Sequence, residues 1–469
     1  MNNQTAISEE LKAWILEQQD SRYTVERACD DKTESIILKT DSASATITLY
    51  SIEYTICELR VVDAKQENVF YLHFELNDLD HAKGLFLEMK ESLLKQKTDT
   101  AIHVLLCCTC GLTTSYFTMN LNESVRVMGM KMDFDAVPYD KLYESAQDKD
   151  VILIAPQIGY QLKKARAILS DKLVLEIPAA IFSRYDVFGL INLIKDEYEK
   201  HKQSETVQAE GVQELVSTEG STLILSVIDM EGRTQLAYRV YGQNEIVMQN
   251  QIVKERYRAE DICDVIGSVL RMNQNIRTIC LVSPGSFHEG KLTYEKGNIF
   301  NFDVRTNIEE KFGIRTLTIN DTDAIALGYS QKELNGEMAA FYFVPSGEYA
   351  GNIGISAYGR IFGTAGHMGG SQLAGITDIT TFPKNPYALA KTPEGNVALC
   401  ARYLTGLITY TGCSHIAFYA KMIPDTSELI QEIGKFIRPE YIPQIVRVNS
   451  VREYLYDGAM YYINSRKDS

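Results

Sequence analysis

Hydrophobic and polar positions follow a different rhythm in each of three parts of the chain. Between residues 10 and 98, short apolar runs such as "ESIILKT", "ATITLYSI" and "NVFYLHFEL" precede a helical stretch, "LDHAKGLFLEMKESLLKQ". Short runs rich in β-branched and aromatic residues, bounded by polar ones, predict strands. We therefore predict a small α+β domain over residues 1–100. It gathers no catalytic groups, and His73 and His81 are predicted to be packing or surface residues.

The next hundred residues alternate strands and helices. The runs "AIHVLLC", "KMDFDAV", "VILIAP" and "LVLEIPA" predict four strands, and helical stretches separate them. This order favours a parallel sheet with helical crossovers, which we predict over residues 101–200. Residues 201–220 are polar and rich in Glu and Gln, so they are predicted to be a linker. In the first helix, one apolar face is predicted, with Phe117, Leu121, Val125 and Met128.

A second α/β unit is predicted over residues 221–469. It opens with "TLILSVIDMEGRTQLAYRVY", two strands around a turn, and later runs include "IRTICLVSPGSF", "IRTLTINDTDAIALGY" and "AAFYFV". Segments 46–95 and 222–272 both run from a hairpin into a helix, which leaves an internal duplication open. The helix after the hairpin is predicted to bury one face, with Ile262, Val265, Ile266, Val269 and Leu270.

Composition and charge disfavour nucleic-acid-binding, membrane-spanning and secreted classes of protein. Lys and Arg total 47 against 62 Asp and Glu, and the resulting net charge of -15 disfavours nucleic acid as a partner. No helix-turn-helix with a basic face is evident. No apolar run reaches the roughly 18 residues of a membrane span, and "MNNQTAISEELKAWILEQQ" lacks the pattern of a secretory signal. Nine cysteines, most of them isolated in apolar segments, suit a reducing compartment, so we predict a cytoplasmic protein without membrane insertion.

The stretch "HVLLCCTCGLTTSYF", residues 103–117, is the first candidate site. A strand that turns sharply into a helix aims backbone N–H groups and the positive end of the helix dipole at the loop, which favours an anion. A thiol at the strand exit, Cys108, is predicted to be nucleophilic because this environment favours its ionised form. The arrangement suits transfer of a phosphoryl group onto sulfur, although the loop alone leaves a plain helix cap open. The predicted phosphate-binding residues are Cys110, Gly111, Leu112, Thr113, Thr114 and Ser115.

Residues 103–199 resemble the enzyme IIB component of the phosphotransferase system, lactose/cellobiose type, whose active loop reads Cys-x-x-Gly-x-Ser/Thr-Thr-Ser. Cys108, Gly111, Thr113, Thr114 and Ser115 occupy those places. The later "VILIAPQIGYQLKKAR" resembles that family's strand "VLLGPQV" and the helix after it. The resemblance implies that Cys108 accepts a phosphoryl group from a phosphohistidine on an enzyme IIA-like partner. No enzyme IIC membrane domain is found in the chain, so a transport role would need a separate protein.

Residues 222–430 resemble the ROK family (repressors, open reading frames and sugar kinases) of the actin-like ATPase fold. "NDTDAIALG" is similar to that family's "NDANAAALG", and "TQLAYRVYGQNEIV" to the hairpin after its first phosphate loop. In this fold, which is two-lobed, Asn320 and Asp321 would face the cleft between the lobes. There Asp321 could act as a general base on a sugar hydroxyl, or it could merely cap the following helix. Asn320, Asp321 and His367 are the predicted ligands of a sugar or phosphosugar.

The nucleotide loops depart from the family pattern. The first phosphate loop, Asp-x-Gly-Gly-Thr, appears as "DMEGRT", in which Glu231 brings negative charge beside the γ-phosphate. The second appears as "SGEYAGNIG", where Glu348 and Tyr349 replace small residues that let backbone amides reach phosphate. Ala420 and Lys421 stand where the family contacts adenine with Gly-Gly. The positions carried over for nucleotide binding are Asp229, Gly232, Thr234, Gly351 and Gly354.

The family's zinc motif, Gly-Glu-x-Gly-His, reads "GHMGG" here, with His367 in place of Glu and Gly370 in place of the ligand His. The cysteine-rich loop that should follow is replaced by "SQLAGITDITTFPKNPY", so no structural zinc is expected. Cys107, Cys108 and Cys110 have no second Cys or His pair at ligand spacing, which also disfavours a metal.

Two functions follow from these patterns. In the first, a cytoplasmic regulatory or phosphoryl-carrier protein is phosphorylated on Cys108 and carries a kinase-derived, sugar-sensing domain. The alternative is an ATP- and magnesium-dependent sugar kinase with an enzyme IIB-like accessory domain; a fusion of two inactive units is a third. The phosphate loops favour the first and predict weak or absent nucleotide binding. Expected partners are an enzyme IIA-like phosphohistidine protein and a sugar or phosphosugar, with a homodimer left open.

Overall fold

The structure is a computed structural model of the whole chain, and the description below covers thirteen stretches of it. These are residues 3–18, 20–29, 33–51, 55–64, 66–96, 102–109, 112–128, 130–205, 220–230, 233–243, 245–344, 351–362 and 385–466.

The N-terminal unit, residues 3–96, is an antiparallel sheet whose five strands pair in chain order. Ile47, Leu59 and Leu72 lie opposite one another on three neighbouring strands and are all buried, so the alternating pattern puts one apolar face inward. Helices pack against this face, and Trp14 meets Phe86 edge to face at 5.5 Å. The elements are α1 (Asn3–Glu17), β1 (Thr24–Cys29), β2 (Thr33–Lys39), β3 (Ala43–Ser51), β4 (Thr55–Asp63), β5 (Asn68–Glu75) and α2 (Leu79–Lys95).

The parallel-sheet unit, residues 102–205, confirms the predicted parallel sheet. Its four strands have the order β7-β6-β8-β9, and β8 is buried along its whole length, as expected of a strand covered on both faces. Phe117, Leu121 and Val125 are buried as predicted, and Met128 is partly buried. The elements are β6 (Ile102–Cys108), α3 (Leu112–Val127), β7 (Met132–Pro138), α4 (Leu142–Ser145), β8 (Val151–Ile154), α5 (Leu162–Ile168), β9 (Leu173–Glu176), α6 (Ala179–Arg184) and α7 (Val187–Glu205).

The helix α7 continues through residue 205, into the segment predicted as a linker over 201–220. Residues 206–219, the rest of that segment, lie outside the described residues.

Lobe 1, residues 220–320, has the strand order β12-β11-β10-β13-β17. The first three strands are antiparallel, and β13 and β17 run parallel to β10. The predicted apolar face of α8 is confirmed, with Leu270 only partly buried. The elements are β10 (Ser221–Met230), β11 (Arg233–Gly242), β12 (Glu245–Ile252), α8 (Ala259–Met272), β13 (Ile276–Ser283), the small sheet of β14 (Ser286–His288), β15 (Lys291–Tyr294) and β16 (Ile299–Asp303), and β17 (Arg315–Asn320).

Lobe 2, residues 339–447, repeats that topology. Its order is β20-β19-β18-β21-β22, again with three antiparallel strands followed by two parallel ones. This repeat confirms the two-lobed architecture. The elements, with the helices on either side, are α9 (Asp321–Leu334), β18 (Ala339–Val344), β19 (Asn352–Ala357), β20 (Arg360–Ile361), α10 (Pro386–Leu389), α11 (Pro393–Thr411), β21 (His415–Ala420), α12 (Thr426–Ile433), β22 (Gln444–Arg447) and α13 (Arg452–Asn464).

Helices α9 and α13 lie between the lobes and cross at two glycines. A Cβ on Gly328 would come 1.9 Å from the carbonyl oxygen of Tyr454, and one on Gly458 would come 1.9 Å from that of Ala324. Only residues without a side chain permit this approach. Strands of both lobes pack on the two helices and share one apolar cluster with them, so the lobes are joined through α9 and α13.

The N-terminal unit and lobe 1 also share a continuous apolar core. The backbone of Tyr71 on β5 exchanges two hydrogen bonds, of 2.7 and 2.9 Å, with Val253 just after β12. The parallel-sheet unit, in contrast, contacts lobe 2, where Met422 joins one of its apolar clusters.

Candidate functional site

Cys108 lies at the end of β6, beside the first turn of α3. Its side chain is 2% exposed, and its Sγ is 3.2 Å from the Oγ1 of Thr114, which is fully buried. The first turn of a helix has backbone N–H groups without partners inside the helix and carries the positive end of the dipole. The structure therefore brings Cys108 together with the hydroxyl of Thr114 at a helix N-terminus, the local setting that the sequence predicts.

The neighbouring Cys107 belongs to a different environment. Successive residues of a strand point to opposite faces of the sheet, and Cys107 joins the apolar cluster around Leu142 and Ile154. Burial raises the pKa of the Cys107 thiol to about 12, so this sulfur is protonated at neutral pH. Cys107 is thus unsuited to act as the nucleophile.

The other predicted phosphate-binding residues are described only in part. Ser115 lies on the first turn of α3 and is exposed, whereas Leu112 and Thr113 begin that helix with only their backbone described. Cys110 and Gly111 lie outside the described residues.

An aromatic cluster that the sequence analysis missed holds the start of α3 in place. Tyr185, which follows α6 in a left-handed conformation, meets Tyr116 and Phe117 edge to face at 5.3 and 5.4 Å. Phe117 also meets Phe182 at 6.2 Å. These contacts orient the helix whose N-terminus faces Cys108. The run "IFSRYDVF" has the aromatic residues needed, but its distance from α3 along the chain hides the contact.

Asn320 and Asp321 lie where β17 ends and α9 begins, as predicted. Asn320 is the helix cap: its Oδ1 accepts hydrogen bonds from the backbone N–H and the hydroxyl of Thr322, at 3.1 and 2.7 Å. Its Nδ2 donates to the carbonyl of Gly285 at 3.0 Å. The capping role that the sequence left open for Asp321 therefore falls to Asn320, which also ties the strand end to the turn after β13.

Asp321 occupies the first position of α9 and is 5% exposed. Its Oδ1 accepts a hydrogen bond of 2.8 Å from the backbone N–H of Thr322. Lobe 2 reaches this same turn, since a Cβ on Gly354 of β19 would lie 2.1 Å from the carbonyl oxygen of Thr322. The carboxylate of Asp321 thus belongs to a turn at which the two lobes meet.

The positions carried over for nucleotide binding are spread over both lobes. The backbones of Asp229 and Thr234 are paired in register on the β10–β11 hairpin, and the Oγ1 of Thr234 is 3.5 Å from the hydroxyl of Tyr294. A Cβ on Gly351 would lie 2.2 Å from the carbonyl oxygen of Phe343, so this glycine, like Gly354, permits close packing. Gly232 and His367, like the loop residues Glu231, Glu348 and Tyr349, lie outside the described residues.

Residues after β21 contact the parallel-sheet unit. Ala420 ends the strand and is 1% exposed, the Nζ of Lys421 is 3.0 Å from Asp171, and Met422 packs in the cluster that contains Leu142. Ala420 and Lys421 are the positions that the sequence comparison aligns with the adenine-contacting Gly-Gly of the ROK family. A comparison with that family alone does not reveal this contact, because it lies between two units that the sequence keeps apart.

In the part of the chain that the structure describes, no group of three or more His, Cys, Asp and Glu side chains is placed to hold a metal ion. Within the same residues, no helix is both long and apolar enough to cross a bilayer.

No protein-family model matches the chain. A ROK-family protein from Streptococcus pneumoniae TIGR4, solved in complex with sucrose, is similar in structure over 53% of this chain and 100% of its own, with 12% identity and a TM-score of 0.42. A putative N-acetylmannosamine kinase from Listeria monocytogenes matches 53% of this chain and 100% of its own, with 14% identity and a TM-score of 0.43. A ROK-family transcriptional regulator, a homologue of the E. coli MLC protein, matches 61% of this chain and 92% of its own, with 13% identity and a TM-score of 0.39. These structural neighbours are ROK-family proteins, and the similarity covers about half of this chain.

Proposed function

We propose that this chain is a carbohydrate-linked regulatory protein. Its two lobes bind a sugar or phosphosugar beside Asp321, and its parallel-sheet unit accepts a phosphoryl group on Cys108. The observation that carries the proposal is the buried carboxylate of Asp321, in the turn of α9 that Gly354 of lobe 2 contacts. A carboxylate accepts hydrogen bonds from adjacent hydroxyl groups, and a ligand held where two lobes meet favours their closure.

A regulatory role is favoured over a sugar kinase. A kinase must bind ATP as well as a sugar. Lys421, which the sequence comparison aligns with the family's adenine contact, instead pairs with Asp171 of the parallel-sheet unit, and the next residue, Met422, packs in that unit's core. The sequence also puts Glu231 and Glu348 into the phosphate loops. A carboxylate beside a phosphate repels it and has to lose hydration, so we expect nucleotide binding to be weak.

In the proposed regulation, a partner protein transfers a phosphoryl group to Cys108. The Cys108 thiolate attacks phosphorus of a phosphohistidine on an enzyme IIA-like partner; the S–P bond forms as the N–P bond breaks, and the imidazole nitrogen leaves with the electron pair. The Thr114 hydroxyl, 3.2 Å from the sulfur, and the N–H groups of the first turn of α3 would stabilise charge on the phosphoryl oxygens. Cys108 is 2% exposed, so its sulfur has to become more accessible during the transfer.

Thermal shifts with a panel of neutral sugars, phosphosugars and ATP with magnesium test which of these ligands the two lobes bind. A sugar that binds only the folded protein raises its melting temperature in proportion to the logarithm of ligand concentration over Kd. Asp321→Asn should abolish this shift, whereas Asp323→Asn, the same change two positions later on the helix, should preserve it because the two side chains point to different sides. Absence of any sugar-induced shift in the unmutated protein contradicts the proposal. Low-micromolar ATP binding with sugar-dependent turnover would establish the kinase instead.

Intact-protein mass spectrometry after incubation with a phosphorylated enzyme IIA tests the proposed phosphorylation of Cys108. We expect one added phosphoryl group, lost in Cys108→Ser and retained in Cys107→Ser. An unmodified wild-type chain, in a reaction in which a known enzyme IIB is phosphorylated, would remove the phosphoryl-carrier role but leave the sugar proposal standing.

A further inference from the structure

The parallel-sheet unit and lobe 2 are held together mainly by charges. The Nζ of Lys164 on α5 lies 3.1 Å from Glu394 and 3.4 Å from Glu428, which belong to α11 and α12. Two further pairs join Lys391 to Glu144 and Lys421 to Asp171. All four pairs cross between the two parts of the molecule. The acidic partners are about half exposed, whereas the side chains of Lys164 and Lys421 are 18% and 17% exposed.

Apolar contact across this boundary is small. Of the described residues of lobe 2, Met422 is the one that belongs to the apolar clusters of the parallel-sheet unit. One cluster, around Leu106 and Phe117, consists wholly of the unit's own residues, and the other, around Leu142 and Ile154, takes only Met422 from outside. The unit therefore has its own core and does not depend on lobe 2 to bury it.

The contact between the N-terminal unit and lobe 1, in contrast, is mainly apolar and buried. The N-terminal unit and lobe 1 share one continuous core, and the ammonium of Lys254, whose side chain is 2% exposed, lies 2.7 Å from both Glu88 and Asp261. Separation there would expose a large apolar area and a buried charge. Ion pairs with one partner half exposed to solvent, in contrast, are weaker than fully buried ones and are screened by salt, and polar interfaces between domains allow relative motion.

We propose that the parallel-sheet unit is a detachable clamp on lobe 2. The ion pairs of Lys164, Lys391 and Lys421 hold the clamp closed, and their release exposes Met422 and the end of β21 while both parts remain folded. The clamp controls access to the end of β21 and the freedom of lobe 2 to move. This proposal goes beyond the ligand and the phosphoryl transfer proposed above and does not depend on either.

The test uses the full chain and a charge reversal with a matched control. Lys164→Glu should increase the radius of gyration in small-angle X-ray scattering and speed hydrogen exchange in residues 420–428, with unchanged circular dichroism. Lys195→Glu makes the same change at an exposed position of α7 that belongs to none of these ion pairs, and it should do neither. The triple variant Lys164→Glu/Glu394→Lys/Glu428→Lys restores the opposite charges and should return both signals towards those of the wild type.

Salt supplies a second measurement that needs no variant. Because the Debye length falls from roughly 10 Å at 0.1 M to roughly 3 Å at 1 M salt, the wild-type chain should expand over this range. A wild-type chain equally compact at both salt concentrations, or a folded Lys164→Glu variant as compact and as protected as Lys195→Glu, overturns the proposal. If Lys164→Glu fails to fold, the salt titration alone decides.

Discussion

Single residues show how strongly burial controls ionisation in this protein. His73 of β5 is buried where the N-terminal unit meets lobe 1, with its Nε2 3.2 Å from the hydroxyl of Tyr238 and its Nδ1 2.7 Å from that of Ser268. Burial lowers the pKa of His73 to about 4, so the ring is neutral at physiological pH. The sequence leaves packing and surface roles open for His73, and the structure shows that it is a packing residue. His81 differs: its hydrogen bond to Asp264 raises its pKa.

These two histidines predict opposite pH effects. The pKa of His73 is lower in the folded protein than in the unfolded chain, so the unfolded chain takes up the proton first and stability falls as pH drops from about 6.5 towards 4. At about pH 5 the loss is ~2 kcal/mol. Urea unfolding of wild type and His73→Gln at several pH values should show less acid sensitivity in the variant.

His81→Gln is the control for that comparison. Its raised folded pKa contributes stability at low pH that is lost as pH rises through that pKa, so the variant should become more acid-sensitive than wild type. Equal acid sensitivity of wild type and His73→Gln would contradict the assignment.

Cysteine reactivity is the second prediction at this scale. Among Cys107, Cys108 and Cys110, alkylation at neutral pH should label Cys108 first, because it alone stands at the family's distance from Gly111 and because the Cys107 thiol is protonated. Peptide mapping by mass spectrometry measures this, with the exposed Cys29 as an internal reference. Faster labelling of Cys110 would contradict the assignment of Cys108 as the nucleophile.

At the scale of elements, the spacing of hydrophobic residues predicted the helices and strands well, but it did not predict the order of the strands in the sheets. The buried faces of α3 and α8 and the four parallel strands follow from the sequence, because each depends on spacing within one segment. The internal repeat of the chain was not predicted correctly from the sequence. The sequence suggested likeness between 46–95 and 222–272, whereas the same strand order recurs in lobe 1 and lobe 2. Strand order depends on distant partners, so local patterns do not encode it.

The crossing of α9 and α13 gives an element-scale prediction. Gly328→Ala should destabilise the protein by roughly 2 kcal/mol or more, because the added Cβ would overlap the backbone of the other helix. Gly406 is a helical glycine of α11 with no atom within 4 Å of an added Cβ. Gly406→Ala should therefore stabilise by about 0.5–1 kcal/mol. Thermal or chemical unfolding of both variants measures the contrast; similar stabilities would contradict this account of the crossing.

On the scale of the whole molecule, the chain joins its parts in two ways. The N-terminal unit, predicted as a separate domain, shares a core with lobe 1, whereas the parallel-sheet unit meets lobe 2 through ion pairs whose acidic partners are about half exposed. A shared core makes two parts unfold together, and an ionic contact leaves them independent. The first pair should thus act as one rigid body and the second as two.

Lys254 tests the rigid contact. Lys254→Met leaves the carboxylates of Glu88 and Asp261 without their shared cation, and Asp261 is 2% exposed, so we expect a loss of about 3–5 kcal/mol. Lys332→Met removes an exposed ion pair with Asp457 and should cost less than about 1 kcal/mol. Chemical denaturation compares the two; equal effects would mean that the Lys254 cluster is not a buried support of this interface.

What the sequence by itself determined is local: the strands and helices of each unit, the position of Cys108 before a helix and of Asp321 after a strand, and the departures of the phosphate loops. Each of these depends on residues close together in the chain, where hydrophobic period and turn chemistry act directly. Tertiary structure alone decided that Asn320 binds the carbonyl of Gly285, that Gly354 brings lobe 2 to the turn of Asp321, and that Lys421 contacts Asp171. Those contacts join residues far apart in sequence, and only the packing of whole sheets and helices sets which of them meet.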